Sequence, residues 1–323
     1  MAENKPQPQA VEDEFQRANH PETLTTHFNI FEGMRNTVPR SDLKQTDVWQ
    51  ATNIDFNRDG RPFLRPGYTK VASGNWTTVW SNGTFRFGVQ NGNLVEINPD
   101  DSVSIVVPAV GSSPMSFAFY KDTVYYTNNQ VIGYIKNHTG YYLTAPTKRY
   151  KALPPAGQSI AYFMGSLYIC RSNQVWVTDP FKFNQVDLRY GIFSFPETIT
   201  MFAPIEGKPS PYMRSLHSHG IWIATATHLY YLSGQTPIKY IIRDVYAVGN
   251  PTGAFAYVDA TLFKGNTEVG QIVVFPTTAG VYWGTNGGQY GNLTSVKYVM
   301  PTGVQGGAVF RTGNINQVII ALH

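Results

Sequence analysis

One unit recurs along this chain: a short aromatic or β-branched strand, a polar turn, then a second apolar strand. It reads FRFGVQNGNLVEI at 85–97, VYYTNNQVIGYI at 124–135 and LYICRSNQVWVT at 167–178. It returns as IWIATATHLYYL at 221–232 and IVVFPTTAGVYW at 272–283, and a last single strand is QVIIALH at 317–323. The copies start roughly 40–55 residues apart, the spacing of one four-stranded blade per repeat. Such a sheet has two apolar faces and two open edges, so it is not stable alone. Radial stacking covers the faces and leaves only short edges. The repeat therefore predicts an all-β chain, a single β-propeller over residues 46–323. Five full copies and a terminal half copy give six blades, the missing half coming from strands at 46–72. In that closure Val318, Ile320 and Leu322 of the last strand pair into the first blade. The segment KPSPYMRSLHSHG at 208–220 reads as an extended loop between two copies.

Residues 1–45 differ in kind. They are polar, and residues 1–22 hold five acids and two bases. One helix is expected at 9–20, where Val11, Phe15 and Ala18 fall on one face, with Glu12, Asp13 and Glu14 early and Arg17 and His20 late. So short a helix does not hold in water unaided. The segment is predicted to be an assembly arm that orders against a neighbour through Val11, Phe15 and Ala18. Phe28, Ile30 and Phe31 extend that contact, as a strand added to a neighbouring edge.

The chain has 323 residues and one cysteine, Cys170, so no intrachain disulfide forms, as suits a reducing cytoplasm. The N-terminal sequence lacks the apolar core of a signal peptide, and no apolar run is long enough to span a membrane as a helix. Only 14% of residues are charged, against about 25% in an ordinary soluble domain. Such a surface is either largely buried or covered by partners. The net charge of +4 is too small to indicate a nucleic-acid binder. Lys148, Arg149, Lys151, Arg171, Lys182 and Arg189 read as scattered solvated charge beside Asp179 and Asp187.

Catalytic and metal patterns are weak. Asp55-x-Asn57-x-Asp59-Gly60 copies the start of a calcium loop, but its twelfth position is Pro66, so a hairpin turn at 53–68 is the better reading. His217-x-His219, with His228 nearby, lacks a fixed third and fourth ligand. Cys170 lies inside an apolar strand and reads as inert packing. Asp244, Asp259 and Glu206 are the available carboxylates for a propeller glycosidase, but nothing pairs any two. Gly157-Gln158-Ser159-Ile160-Ala161 lacks the last glycine of a nucleophile elbow. The reading is a chain without catalytic, cofactor or metal sites. The N-x-[ST] triplets at Asn75, Asn82, Asn137 and Asn292 read as asparagine-rich turns beside threonine-rich strands.

Several segments, in order, resemble a family of β-rich virion and tail proteins from tailed-phage morphogenesis clusters. FEGMRNTVPRSDLKQTDVWQATNIDFNRDGRPFLRPGYTKV at 31–71 is similar to that family's opening. LYICRSNQVWVTDPFKFNQVDLRYGIFSFPETITMFAPIEG at 167–207, GIWIATATHLYYLSGQTP at 220–237 and AGVYWGTNGGQYGNLT at 279–294 follow in the family's order. GGAVFRTGNINQVIIALH resembles its close. Residues 1–30 fall outside the likeness, and the loop at 208–220 is longer than the family leads one to expect. The resemblance implies a non-enzymatic structural subunit of the virion, in the tail or head-to-tail junction. It would form a homo-oligomeric ring around the DNA path beside portal, adaptor or other tail proteins, touching genomic DNA only non-specifically and no membrane. Assembly would take place in the host cytoplasm. The alternative is a virion carbohydrate-binding module using Tyr240, Tyr246, Tyr257, Tyr290 and Tyr298 to stack on host glycans.

Overall fold

Each of the five repeats becomes the second and third strands of an antiparallel blade, four-stranded in four cases and extended to six strands in the third. These strands are buried on both faces, which is why they carry apolar residues in near-continuous runs. The structure, a computed structural model, describes residues 33–44, 46–50, 54–56, 61–64, 70–206, 219–233, 241–246, 248–260, 271–294, 306–311 and 317–322.

The first blade is built from Trp76–Ser81, Arg86–Gln90, Asn93–Ile97 and Val103–Val107. The second comprises Ser116–Tyr120, Thr123–Thr127, Ile132–Lys136 and Thr139–Tyr142. The third has Ser159–Phe163, Ser166–Arg171, Gln174–Asp179 and Lys182–Asp187, with Lys151–Ala152 paired outside the last. Ile199–Glu206, His219–Thr225, Leu229–Ser233 and Ile241–Tyr246 form the fourth. The fifth contains Ala256–Asp259, Gln271–Thr277, Gly280–Gly284 and Tyr290–Asn292. Tight turns set the registers. Asn91-Gly92 and Met164-Gly165 each place both residues at positive φ, the mirror-image turn whose twist matches a hairpin.

The apolar side chains meet between blades. Phe87, Leu94, Phe117 and Tyr126 join the first blade to the second, and Tyr125, Ile160 and Ile169 join the second to the third. Tyr168, Cys170, Phe202 and Ile223 lie between third and fourth; Trp222, Ile205, Val273 and Phe275 lie between fourth and fifth. First strands of successive blades run side by side around the axis. The Ser116 hydroxyl donates to the Ile160 carbonyl at 3.3 Å, and the Tyr257 hydroxyl to the Pro204 carbonyl at 2.9 Å. All-β propeller architecture follows from this arrangement.

The expected sixth blade is corrected to five. The C-terminal strand Gln317–Leu322 pairs with Gly306–Arg311, and Ile54–Phe56 pairs with Pro62–Leu64. These are two separate two-stranded sheets. Pairing of the last strand with residues 46–72 is not seen among the described strands, and residues 51–53, 57–60 and 65–69 of that segment lie outside them. Val318 packs instead on Val258, Ile272 and Val274 of the fifth blade. Ile320 is half-buried, and the side chain of Leu322 lies outside the described set. Near the start, Gly33–Met34 pairs in parallel with Asp47–Val48. The expected helix at 9–20 and the arm residues Val11, Phe15, Ala18, Phe28, Ile30 and Phe31 lie outside the described residues. Among those described, the helical element is a single turn at Arg40–Asp42, and no helix is long and apolar enough to cross a membrane.

Candidate functional site

In an antiparallel blade, the turn between second and third strands and the lead into the first strand lie at the same end. At that end of the propeller, buried polar groups stitch neighbouring blades together. The Asn128 amide donates to the Val110 carbonyl at 2.7 Å, tying the second blade to the segment that leaves the first. The Thr127 hydroxyl accepts from the Gly157 N–H at 2.9 Å and lies 3.1 Å from the Gly157 carbonyl. Gln158 spends its whole amide on its own blade's turn and on the next blade. Its oxygen accepts from the Ser172 N–H at 2.8 Å, and its nitrogen donates to the carbonyls of Ser172 and Ile199 at 3.0 and 2.8 Å. The Asn250 N–H donates to the Thr225 carbonyl, and the Thr278 N–H to the Gly249 carbonyl.

Within this end lies a cleft of about 600 Å³ lined by Asn129, Gln158, Arg171, Ser172, Thr198, Ile199, Thr200, Pro251 and Thr252. These residues come from the second, third, fourth and fifth blades and their connections. Asn129 and Ser172 are held at positive φ, turning their short polar side chains outward. Thr200 is committed to the Ala224 carbonyl and Thr252 to Asn250. The exposed Arg171 guanidinium has no ion-pair or hydrogen-bond partner among the described residues.

Beside the cleft, the Thr227 hydroxyl donates to Glu197 at 2.6 Å, and His228 Nδ1 lies 2.7 Å from the same hydroxyl. That bond from Thr227 holds the Glu197 carboxyl below its usual range, so it stays ionised. The cluster caps its turn, with the His228 backbone N–H donating to the Thr225 hydroxyl at 3.0 Å.

The scattered basic residues of 146–194 are in part a compact network. Lys151 Nζ contacts Asp179 at 2.6 Å and Asp187 at 3.0 Å, while Arg189 grips Asp187 through two nitrogens at 3.0 and 2.8 Å. Arg189, then Lys151, hold the Asp187 carboxyl far below its usual range. Arg149 and Arg189 both lie over the Tyr150 ring, at 4.7 and 5.1 Å. The network pins Lys151–Ala152 to the outer strand of the third blade. Sequence spacing hid it, since its two halves are far apart in the chain.

Other candidates are dispersed. His219 begins the second strand of the fourth blade and stacks edge-on against Phe163, whereas His228 lies in the turn beyond that strand's far end; His217 lies outside the described residues. Cys170 is fully buried in the layer between third and fourth blades, which pushes its thiol up to about 12. Asp244 lies on an outer strand and Asp259 on an innermost one, with Glu206 ending the first strand of the fourth blade. Of the calcium-like loop, Asp55 sits on a short strand, and positions 57–60 lie outside the described residues. Of the five tyrosines, two have described side chains, and each is packed against other aromatic or core residues. Tyr257 is packed against the fourth blade, and Tyr290 lies 6.2 Å from Trp222 and 6.4 Å from Tyr282. Tyr240, Tyr298 and the side chain of Tyr246 lie outside the described set.

No known family profile and no curated protein matches this chain. Solved structures that resemble it include the extracellular domain of a hybrid two component system from B. thetaiotaomicron, 13% identical over 69% of this chain, with a TM-score of 0.43. The chain spans only 28% of that protein. The N-terminal domain of Nup159 is 10% identical over 77% of this chain and 73% of its own, with a TM-score of 0.44. The WD40 β-propeller domain of Doa1 is 11% identical over 77% of this chain and 90% of its own, with a TM-score of 0.38. The propeller assignment itself stands on the sheet order and inter-blade packing described above.

Proposed function

We propose that this chain is a non-enzymatic structural subunit of a tailed-phage virion, in the tail or head-to-tail junction, working as one member of a ring. The observation that carries the reading is the chemistry of the outer strands. An exposed sheet edge is normally protected by charge, proline or a cover. The outer strands of the first, second and fifth blades, VSIVV, TGYY and YGN, contain no charged residue. Ile105 of the first blade is 64% exposed, and Tyr141 and Tyr142 of the second are exposed; the fourth blade's outer strand, IIRDVY, carries Arg243 and Asp244 but also exposes Ile241, at 63%, and Ile242. Apolar edges of this kind suit burial against neighbouring subunits. They also give the low charge content a location. The third blade differs: its outer strand is covered by Lys151–Ala152 and the ion-pair network. The order of sequence segments shared with tailed-phage virion proteins supports the same conclusion.

The test is native mass spectrometry with negative-stain imaging of the purified protein, beside immunogold labelling of intact virions. A closed multi-subunit particle is expected, dissociating in an Ile105→Lys, Ile241→Lys double variant that keeps its melting temperature. A protein that stays monomeric and leaves the virion unlabelled refutes the proposal.

A further inference from the structure

We infer that the cleft around Arg171 is a binding site for an acidic saccharide, with Arg171 as the anchor for its carboxylate. This does not depend on the assembly reading, and it moves glycan recognition from the tyrosines to a different part of the surface. Four observations combine. First, the volume of about 600 Å³ lies within the range of small-molecule sites, roughly 300–1,000 Å³. Second, the rim is preorganised. Gln158 and Ile199 are fixed by the 2.8 Å bond between blades, so the cleft has a set shape before any ligand arrives. Third, the donors that this stitching leaves over are grouped in the cleft. The Arg171 guanidinium, the Ser172 and Thr198 hydroxyls and the Asn129 amide have no side-chain partner among the described residues, whereas Gln158, Thr200 and Thr252 are spent on the protein itself. Fourth, no acid is among the nine lining residues, and the neighbouring Glu197 has one oxygen held by the Thr227 hydroxyl and the other buried.

An unpaired guanidinium presents a planar fork that fits a carboxylate with two parallel hydrogen bonds. Hydroxyl and amide groups around it both donate and accept, as the ring hydroxyls of a sugar require. Pro251 supplies the apolar surface on which the C–H face of a pyranose rests, above the buried Ile199. A bare inorganic anion would use the arginine and leave the rest of the cleft idle. A neutral sugar would leave the arginine idle.

Titration by calorimetry and saturation-transfer NMR separates these cases, using sodium glucuronate, glucose and inorganic phosphate as probes. Glucuronate is expected to bind the intact protein, and Arg171→Ala to weaken it about tenfold, the worth of one good charge-assisted pair. Thr198→Val should weaken it less. Arg171 and Thr198 are exposed, so both variants should melt as the parent protein does, and a melting scan checks that. Glucuronate binding that is absent, or unchanged in Arg171→Ala, overturns the inference. Phosphate binding as tightly as glucuronate shows a bare anion site and overturns the saccharide class, and glucose binding equally well overturns the role of Arg171.

Discussion

Trp222 is the side chain on which the contact between fourth and fifth blades turns, and Trp222→Phe tests how the blades are held. The indole is fully buried, packed at 5.0 Å against Tyr231 and 6.4 Å against Phe275. Its N–H donates across the interface to the Thr285 carbonyl at 2.8 Å. Gly284, next to that carbonyl, makes the approach possible, since a Cβ there would stand 2.5 Å from the ring. Phenylalanine keeps a ring but removes the donor and the outer part of the indole. The lost burial costs about 1–2 kcal/mol. The Thr285 carbonyl keeps the Gly288 N–H at 3.2 Å, so losing the indole donor costs only about 0.5–1.5 kcal/mol more. A sum of about 1.5–3.5 kcal/mol is still a sizeable share of the 5–15 kcal/mol typical of a native protein. In a chain of this size each kcal/mol moves the melting temperature by about 2 °C. Calorimetry should therefore show a drop of about 3–7 °C, with urea unfolding giving the same order of loss. A drop within about 1 °C would refute the interface as drawn.

Three further outcomes follow from named groups. Asp187 has a folded pKa below its unfolded value, so its contribution is present above about pH 4 and is lost as pH falls below that; the melting-temperature gap between parent and Asp187→Asn should be wide at pH 7 and shrink at pH 3. The buried Cys170 thiol should stay unreactive toward a disulfide reagent at pH 8 and react fully once urea unfolds the chain; fast reaction in the native protein would contradict its burial. Thr127→Val strands the Gly157 N–H and should cost about 1–3 kcal/mol in chemical denaturation, whereas Thr227→Val, at an exposed turn, should cost under about 1 kcal/mol.

The sequence revealed the middle of each blade and little of its periphery. The second and third strands are buried on both faces, so they stand out as apolar runs, and all five copies fell on them. The first and fourth strands vary more in exposure, as in WTTVWS and VSIVV, which are mostly half-exposed or exposed and do not repeat one pattern from blade to blade. Blade count failed at the end of the chain, because QVIIALH shows that a strand exists but not which segment it pairs with. The cleft could not be read at all. Its residues run from Asn129 to Thr252 and converge only because the blades circle one axis, and Arg171 in isolation is one more polar residue in a turn.

Each apolar layer lies between two adjacent blades, and the described layers join neighbours only. Damage to one layer therefore has a short reach. A cavity between first and second blades shares no contact with one between fourth and fifth, and their free-energy costs should simply add. Two changes within one layer, such as at Trp222 and Phe275, compete for the same space and couple. Sequence drift can consequently proceed blade by blade, each interface repairing its own losses while the distant ones stay indifferent.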